Sequence, residues 1–198
     1  MSGARPSGPG DAGPSGAERR LAGGLGAKKT DVSWATEESG LVLAFSVKCI
    51  MWRDKSSGNF QKNLTNRRGD LLFETTTLHR RFPYAVLVGL LFIDAGAETD
   101  HVTEDGRSKS RRSTFENFFP RFRLFTRRPD PQGREEMFER LYIILTDTNP
   151  FSPSVRVYEA HRAFEEVDLE LAMLDIIALV GERNFDLYDG TDGLITKI

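Results

Sequence analysis

The run Tyr84–Ile93, ten residues (YAVLVGLLFI) opened by Pro83, constrains this chain more than any other segment. It has no polar alternation, so it reads as a strand covered on both faces, the pattern of a parallel strand inside an α/β sheet. It is also too short for a membrane helix, which needs roughly 18 to 20 apolar residues. The segment before it supplies the cover. Phe60, Leu64, Leu71, Thr75, Leu78 and Phe82 recur at steps of 3, 4 or 7, which predicts an amphipathic helix over Phe60–Phe82 that Pro83 stops. Before the helix, Leu41–Ile50 (LVLAFSVKCI) reads as a strand, and a turn at Glu37–Gly40 pairs it with Thr30–Thr36 in a β-hairpin. Strand, helix and buried strand in that order predict a right-handed parallel crossover.

The flanks are less regular. Residues 1–29 hold 8 of the 18 glycines and three of the nine prolines, too little apolar surface to offset ordering, so they are expected to be a disordered tail before a single domain over 30–198. Residues 94–112 read as a polar loop. Ser113, Thr114 and Glu116 open a second helix carrying Phe115, Phe118, Phe119, Phe122 and Phe125, a spacing that fits core or a subunit interface. Arg134–Arg140 reads as a short helix, LYIILTDT and VRVYEA as two strands, and Phe164–Gly181 as a helix with Val167, Leu171, Leu174, Ile177 and Ala178 on its buried face.

Composition excludes several classes. One cysteine, Cys49, and three scattered histidines leave no disulfide framework and no zinc spacing. The N-terminus lacks the apolar core of a signal peptide, so a cytoplasmic protein with no membrane partner is expected. The net charge of −2 hides an uneven distribution. Residues 53–81 carry seven Lys/Arg against three Asp/Glu, and 107–128 carry eight against one, whereas 129–198 carry six against fifteen. Two basic blocks of this kind suit a polyanion-facing surface.

The chemistry converges on the hairpin. Side chains alternate along a strand, so Leu41, Leu43, Phe45, Val47 and Cys49 share one face, expected to enter a core, while Ser46 and Lys48 share the other with Val42, Ala44 and Ile50. Asp31 is expected opposite Lys48. A carboxylate, a hydroxyl and an ammonium then meet at one end of the hairpin, followed by a basic helix and a buried strand.

This order resembles the PD-(D/E)XK, or restriction-endonuclease-like, nuclease superfamily over about residues 30–95. There an aspartate opens one strand and the next strand carries Glu-X-Lys. The resemblance implies an α/β fold, a restriction-endonuclease-like mixed β-sheet flanked by helices. It also implies a DNA endonuclease that uses Mg²⁺ and metal-activated water to hydrolyse phosphodiesters, and by analogy a homodimer. Asp31 would be a metal ligand and Lys48 the catalytic lysine.

Ser46 stands where the family has glutamate. A subgroup of type II restriction endonucleases is similar in this respect, with Ser-X-Lys in the strand and the acid on the following helix. Glu37 and Glu38 sit at the turn, roughly 30 Å from Lys48 at about 3.3 Å per residue, and are out of reach. On the helix, at about 100° per residue, Glu74 lies about 80° from Leu64 and Asp70 about 120°. Glu74 is therefore the expected second carboxylate and metal ligand, with Asp70 as the alternative acid. Lys62, Asn63, Arg67 and Arg68 on the same helix, with Arg111 and Arg112 in the second basic block beside Arg121, Arg123, Arg127 and Arg128, are the expected nucleic-acid contacts. The serine also keeps a second reading open, a nuclease-like DNA-binding or interaction module without catalysis.

Overall fold

A computed structural model describes residues 16–102, 106–107, 110–129 and 131–198. A six-stranded sheet has its strands in sequence order: β1 (Gly16–Gly23), β2 (Gly26–Thr36), β3 (Gly40–Ile50), β4 (Val86–Asp94), β5 (Arg140–Asp147) and β6 (Ser154–Glu159). β1–β2, β2–β3 and β5–β6 are antiparallel, while β3–β4 and β4–β5 are parallel, so the sheet is mixed. The helices are α1 (Gln61–His79), α2 (Thr114–Phe122) and α3 (Leu169–Arg183). A two-stranded ribbon, β7 (Tyr188–Asp189) and β8 (Thr196–Lys197), ends the chain. None of these helices is long and apolar enough to cross a membrane.

The sheet separates two cores, and the period-2 alternation decides which side chain enters which. Leu87, Leu91 and Ile93 of β4 and Leu141, Ile143 and Leu145 of β5 pack with α1 and α2. Val86, Val88, Tyr142 and Ile144 pack on the opposite side against Ala172, Ile176, Leu179 and Val180 of α3. Every member of the expected α1 stripe from Phe60 to Leu78 is buried, and Phe82 packs at its edge. β3 and β4 pair in parallel through Ser46↔Gly89 and Lys48↔Leu91, so the strand–helix–strand unit forms as expected.

Gly89 lets the Leu141 side chain approach the β4 backbone closely. A Cβ there would meet Leu141 Cδ1 at 2.3 Å and the Phe138 ring at 3.3 Å. Gly40 closes the β2–β3 turn at φ +67°, a left-handed conformation that side chains with a Cβ disfavour.

Two buried carboxylates fix the helices. Asp100, 2% exposed, accepts from Phe60 N at 3.0 Å and Thr114 N at 2.8 Å, and also from Thr114 Oγ1, tying the first turns of α1 and α2 together. At the far end of α1, Glu139 accepts from Leu87 N at 2.8 Å and Arg128 Nη1 at 3.3 Å, and lies 3.2 Å from His79 Nε2. Ser113 and Glu116 form a reciprocal cap on α2, as their spacing predicts.

Four expectations are corrected. Residues 16–29 are not tail: Gly16–Gly23 and Gly26–Lys29 form an antiparallel pair, because the Gly23–Gly26 turn lets Leu21 reach the core. Residues 1–15 of the expected tail lie outside the described residues. Arg134–Arg140 is not a helix. Its charges serve tertiary pairs instead, Glu135 with Arg80 and Glu139 with Arg128, and Arg140 begins β5. The buried face of α3 is displaced, with Leu171 66% and Leu174 42% exposed while Ala172, Ile176 and Leu179 face the sheet. The phenylalanines of α2 take the first of their two expected places, the core: Phe115, Phe118, Phe119 and Phe122 are at most 7% exposed and stack among themselves and on Tyr158. Finally, the two faces of β3 are not divided into core and periphery as expected. Ala44, Ser46 and Ile50 are buried beneath α1, and Cys49 on the other face is exposed.

Candidate functional site

The β2–β3 ladder runs from Thr36↔Gly40 to Val32↔Phe45, with an irregularity at Trp34/Ala35. Continuing from Val32↔Phe45, Asp31 lies level with Ser46, two residues short of Lys48, which corrects the expected register. Beyond Val32 the Asp31 carboxylate takes over the strand's bonding: Oδ2 accepts from Val47 N at 2.6 Å and from Lys48 Nζ at 3.5 Å. Asp31 thus reaches Lys48 diagonally.

Lys48 projects from β3 toward α1, where Glu74 comes down two turns after Arg67. Lys48 Nζ lies 3.2 Å from Glu74 Oε2. The same oxygen lies 3.6 Å from Lys28 Nζ of β2. Two carboxylates and two ammoniums therefore share one end of the sheet, with graded exposure: the side chain of Glu74 is 3% exposed, Lys48 18%, Lys28 25% and Asp31 35%. Glu74 is the inner wall and Asp31 the solvent-facing one. Burying a carboxylate this deeply is costly without paired charge, and the two lysines supply it.

Ser46 lies on the same face, one alternation before Lys48. Its Oγ is buried without a protein hydrogen-bond partner. It borders a cavity of about 10 Å³ that is also lined by Glu74, Thr75 and Phe138. That volume is about the size of one water.

The other expected residues divide by location. Asp70 does not join the carboxylates; it is exposed and pairs with Arg67 at 3.0 Å on the helix surface. Lys62 pairs with Asp54 at 3.3 Å, and Asn63 Nδ2 donates to the Trp52 carbonyl at 3.1 Å. The Arg68 guanidinium lies 5.0 Å over the Phe125 ring. Arg111 and Arg112 are exposed, and Ser108 and Lys109 of that block lie outside the described residues. Arg127 and Arg128 are withdrawn from any phosphate-facing surface, since Arg127 grips Glu159 through two 2.6 Å bonds and Arg128 is buried on Glu139.

Lys28 is the residue that sequence reasoning missed. It falls in the glycine-rich stretch GGLGAKK, where composition argued against structure. Strand alternation puts residues three apart on opposite faces, so the spacing of Lys28 from Asp31 did not mark it as a member of the site.

Among the described residues, no group of three or more His, Cys, Asp or Glu side chains converges on one point. The site's anionic donors are Asp31 and Glu74 alone. Comparison of the chain with protein-family models, curated proteins and solved structures yields no match.

Proposed function

We propose that this protein is a Mg²⁺-dependent DNA endonuclease of restriction-endonuclease-like type, with Asp31, Glu74 and Lys48 as its reactive group. The observation that carries the proposal is that one ammonium, Lys48 Nζ, lies within 3.5 Å of both an aspartate on one strand and a glutamate on the following helix. A strand lysine flanked by two carboxylates from separate elements is a costly arrangement for stability alone, since buried ion pairs seldom outperform apolar packing. The mixed sheet, with β3–α1–β4 forming a parallel unit beneath the site, agrees with this reading.

The donor set suits Mg²⁺, which takes hard oxygen ligands, accepts one or two carboxylates and keeps several waters. Asp31 and Glu74 are the side chains that would hold it. Bound there, the ion would supply Lewis-acid stabilisation of the phosphoryl oxygens and a more acidic attacking water. The protein's own groups do the remaining work. Asp31, fixed by the Val47 N–H, aims the Lys48 ammonium. Lys48 offsets negative charge developing on the phosphoryl oxygens. Lys28 balances Glu74, and Ser46 offers a hydroxyl toward the water-sized cavity. Arg67, 44% exposed and held among the described residues by a surface pair, can exchange Asp70 for a backbone phosphate.

A second reading has its own observation: Ser46 replaces an acid, and the two lysines already neutralise the two carboxylates. That arrangement suits a DNA-binding module without catalysis. Incubating fluorescently labelled DNA, both duplex and single-stranded, with the wild type and with Asp31→Asn, in Mg²⁺ and in EDTA, separates the two. The nuclease reading expects cleavage by the wild type in Mg²⁺ alone. Binding without cleavage in every condition would leave the module.

A further inference from the structure

Beside the reactive group, at the C-terminal end of β3, lies a second cleft of about 220 Å³. It is bordered by Cys49, Ile50 and Trp52 as β3 runs out, and by Asn63, Asn66 and Arg67 on the first turns of α1. Its size falls below the roughly 300 to 1,000 Å³ of pockets that enclose drug-sized ligands, and one planar ring system fills it. Its wall is unusual for a surface depression: Trp52 is 81% exposed, the second most exposed of the large apolar side chains. An indole this exposed offers a free π face on which a planar ring can stack.

The lining sorts by chemistry. Trp52 offers a π face. Its backbone is held across the cleft by the Asn63 side chain, which donates to the Trp52 carbonyl at 3.1 Å. Asn66 is exposed and presents an amide, a group that pairs with base edges. Arg67 presents a guanidinium that, among the described residues, pairs with the exposed Asp70. Aromatic face, amide and exchangeable cation together match a nucleobase with its adjoining phosphate. Position agrees: Cys49 directly follows Lys48, and Arg67 precedes Glu74 by seven residues, about 10 Å of helix rise.

We infer that this cleft holds one unpaired base of the DNA strand whose backbone enters the Lys48 site, stacked on Trp52 with its phosphate on Arg67. The inference rests on the nuclease reading for the identity of the polymer, and it deepens that reading by naming the substrate state: a strand locally unpaired or single.

Two probes are built into the cleft. Cys49 is the single cysteine and is exposed. Trp52 is one of only two tryptophans, the other being Trp34, which packs edge-on against Tyr188 at 5.0 Å. In the full chain, the alkylation rate of Cys49 by N-ethylmaleimide and the tryptophan emission are measured against four additions. These are a single-stranded oligonucleotide, the same strand with abasic sites throughout, the fully paired duplex, and free deoxyadenosine monophosphate.

The inference expects the single strand to slow alkylation and quench emission, with little effect from the abasic strand, the paired duplex or the free nucleotide. Trp52→Ala, at so exposed a position, leaves the fold intact and weakens affinity for the labelled single strand by about 5- to 150-fold, the range of one base–aromatic stack. Equal protection by normal and abasic strands, or unchanged affinity in Trp52→Ala, overturns it. Quenching by the free nucleotide as strong as by the strand also overturns it, in favour of a mononucleotide site. Cleavage assays on the same samples keep the two ideas apart. Base-dependent quenching without cleavage removes the nuclease reading and spares the cleft; cleavage without base dependence does the reverse.

Discussion

Replacing Glu74 by Gln keeps the side chain's volume and removes its charge, and its consequences differ sharply from those of the neighbouring Asp70→Asn. Glu74 is 3% exposed and carries both Lys48 at 3.2 Å and Lys28 at 3.6 Å. A fully buried pair broken on one side costs roughly 3–5 kcal/mol, because a charge is stranded. Here the two stranded ammoniums are 18% and 25% exposed and reach water. The cost therefore drops to about 1–2 kcal/mol, and at about 2–4 °C per kcal/mol the melting temperature falls by about 2–8 °C.

Function suffers more. Losing one of two anionic donors lowers Mg²⁺-dependent cleavage by at least about 10²-fold. It also abolishes the Mg²⁺-linked rise in melting temperature, which for the wild type is worth about 1.4 kcal/mol at ten times Kd. Asp70→Asn removes only an exposed helix pair, worth about 0.3–0.5 kcal/mol, and leaves cleavage unchanged. Thermal unfolding with and without Mg²⁺, beside a cleavage time course, measures all four quantities. Wild-type cleavage by Glu74→Gln, or a larger loss in Asp70→Asn, refutes the assignment of the second carboxylate.

Other expectations follow from the same geometry. Asp100→Ala removes acceptors from Phe60 N and Thr114 N at two helix starts and lowers stability by about 3 kcal/mol or more in urea unfolding, since bonds to a charged acceptor are worth roughly 1.5–3 kcal/mol each. Arg67→Ala reduces the slope of log affinity against log salt for DNA by about 0.7 to 0.9, the signature of one lost phosphate contact. The Arg140 hydrogen bond holds the Asp175 carboxyl below the usual carboxylate range, against the opposing effect of burial. Its contribution is present above the unfolded value near 3.9 and is lost as pH falls through the lower folded value, so Asp175→Asn flattens that part of the acid limb in a pH–stability profile.

How much of this was legible in the sequence depended on whether one period dominated locally. Strand alternation put Ser46 and Lys48 on one face, and helical phase brought Glu74 rather than Asp70 toward the sheet; each needs only local geometry. The register of Asp31 is set by the Val32↔Phe45 pairing, which leaves it two residues short of Lys48; turn residues mark roughly where a ladder starts and not its exact offset. Lys28 was missed because β1 and β2 gain their order from pairing across the Gly23–Gly26 turn, a non-local gain that a glycine-rich segment does not advertise. The face of α3 was misread because LELAMLDIIALV carries apolar residues at two phases, and the small Ala172 fits against the sheet while Leu171 and Leu174 stay outside. The segment Arg134–Arg140 has helix-forming residues, but Glu135 and Glu139 are drawn to Arg80, Arg128 and His79 on other elements. Periodicity reports what a segment prefers by itself, and these charges answer to partners far along the chain.

The central claim is that the lysine held between Asp31 and Glu74 performs Mg²⁺-dependent phosphodiester hydrolysis. The most direct measurement is a plasmid-cleavage assay with wild type and Lys48→Ala, each in Mg²⁺ and in EDTA, with circular dichroism to verify the fold of both. The account predicts nicked and linear products from the wild type in Mg²⁺ only, and intact plasmid from a folded Lys48→Ala. Undiminished cleavage by that variant, or cleavage that persists in EDTA, would contradict it.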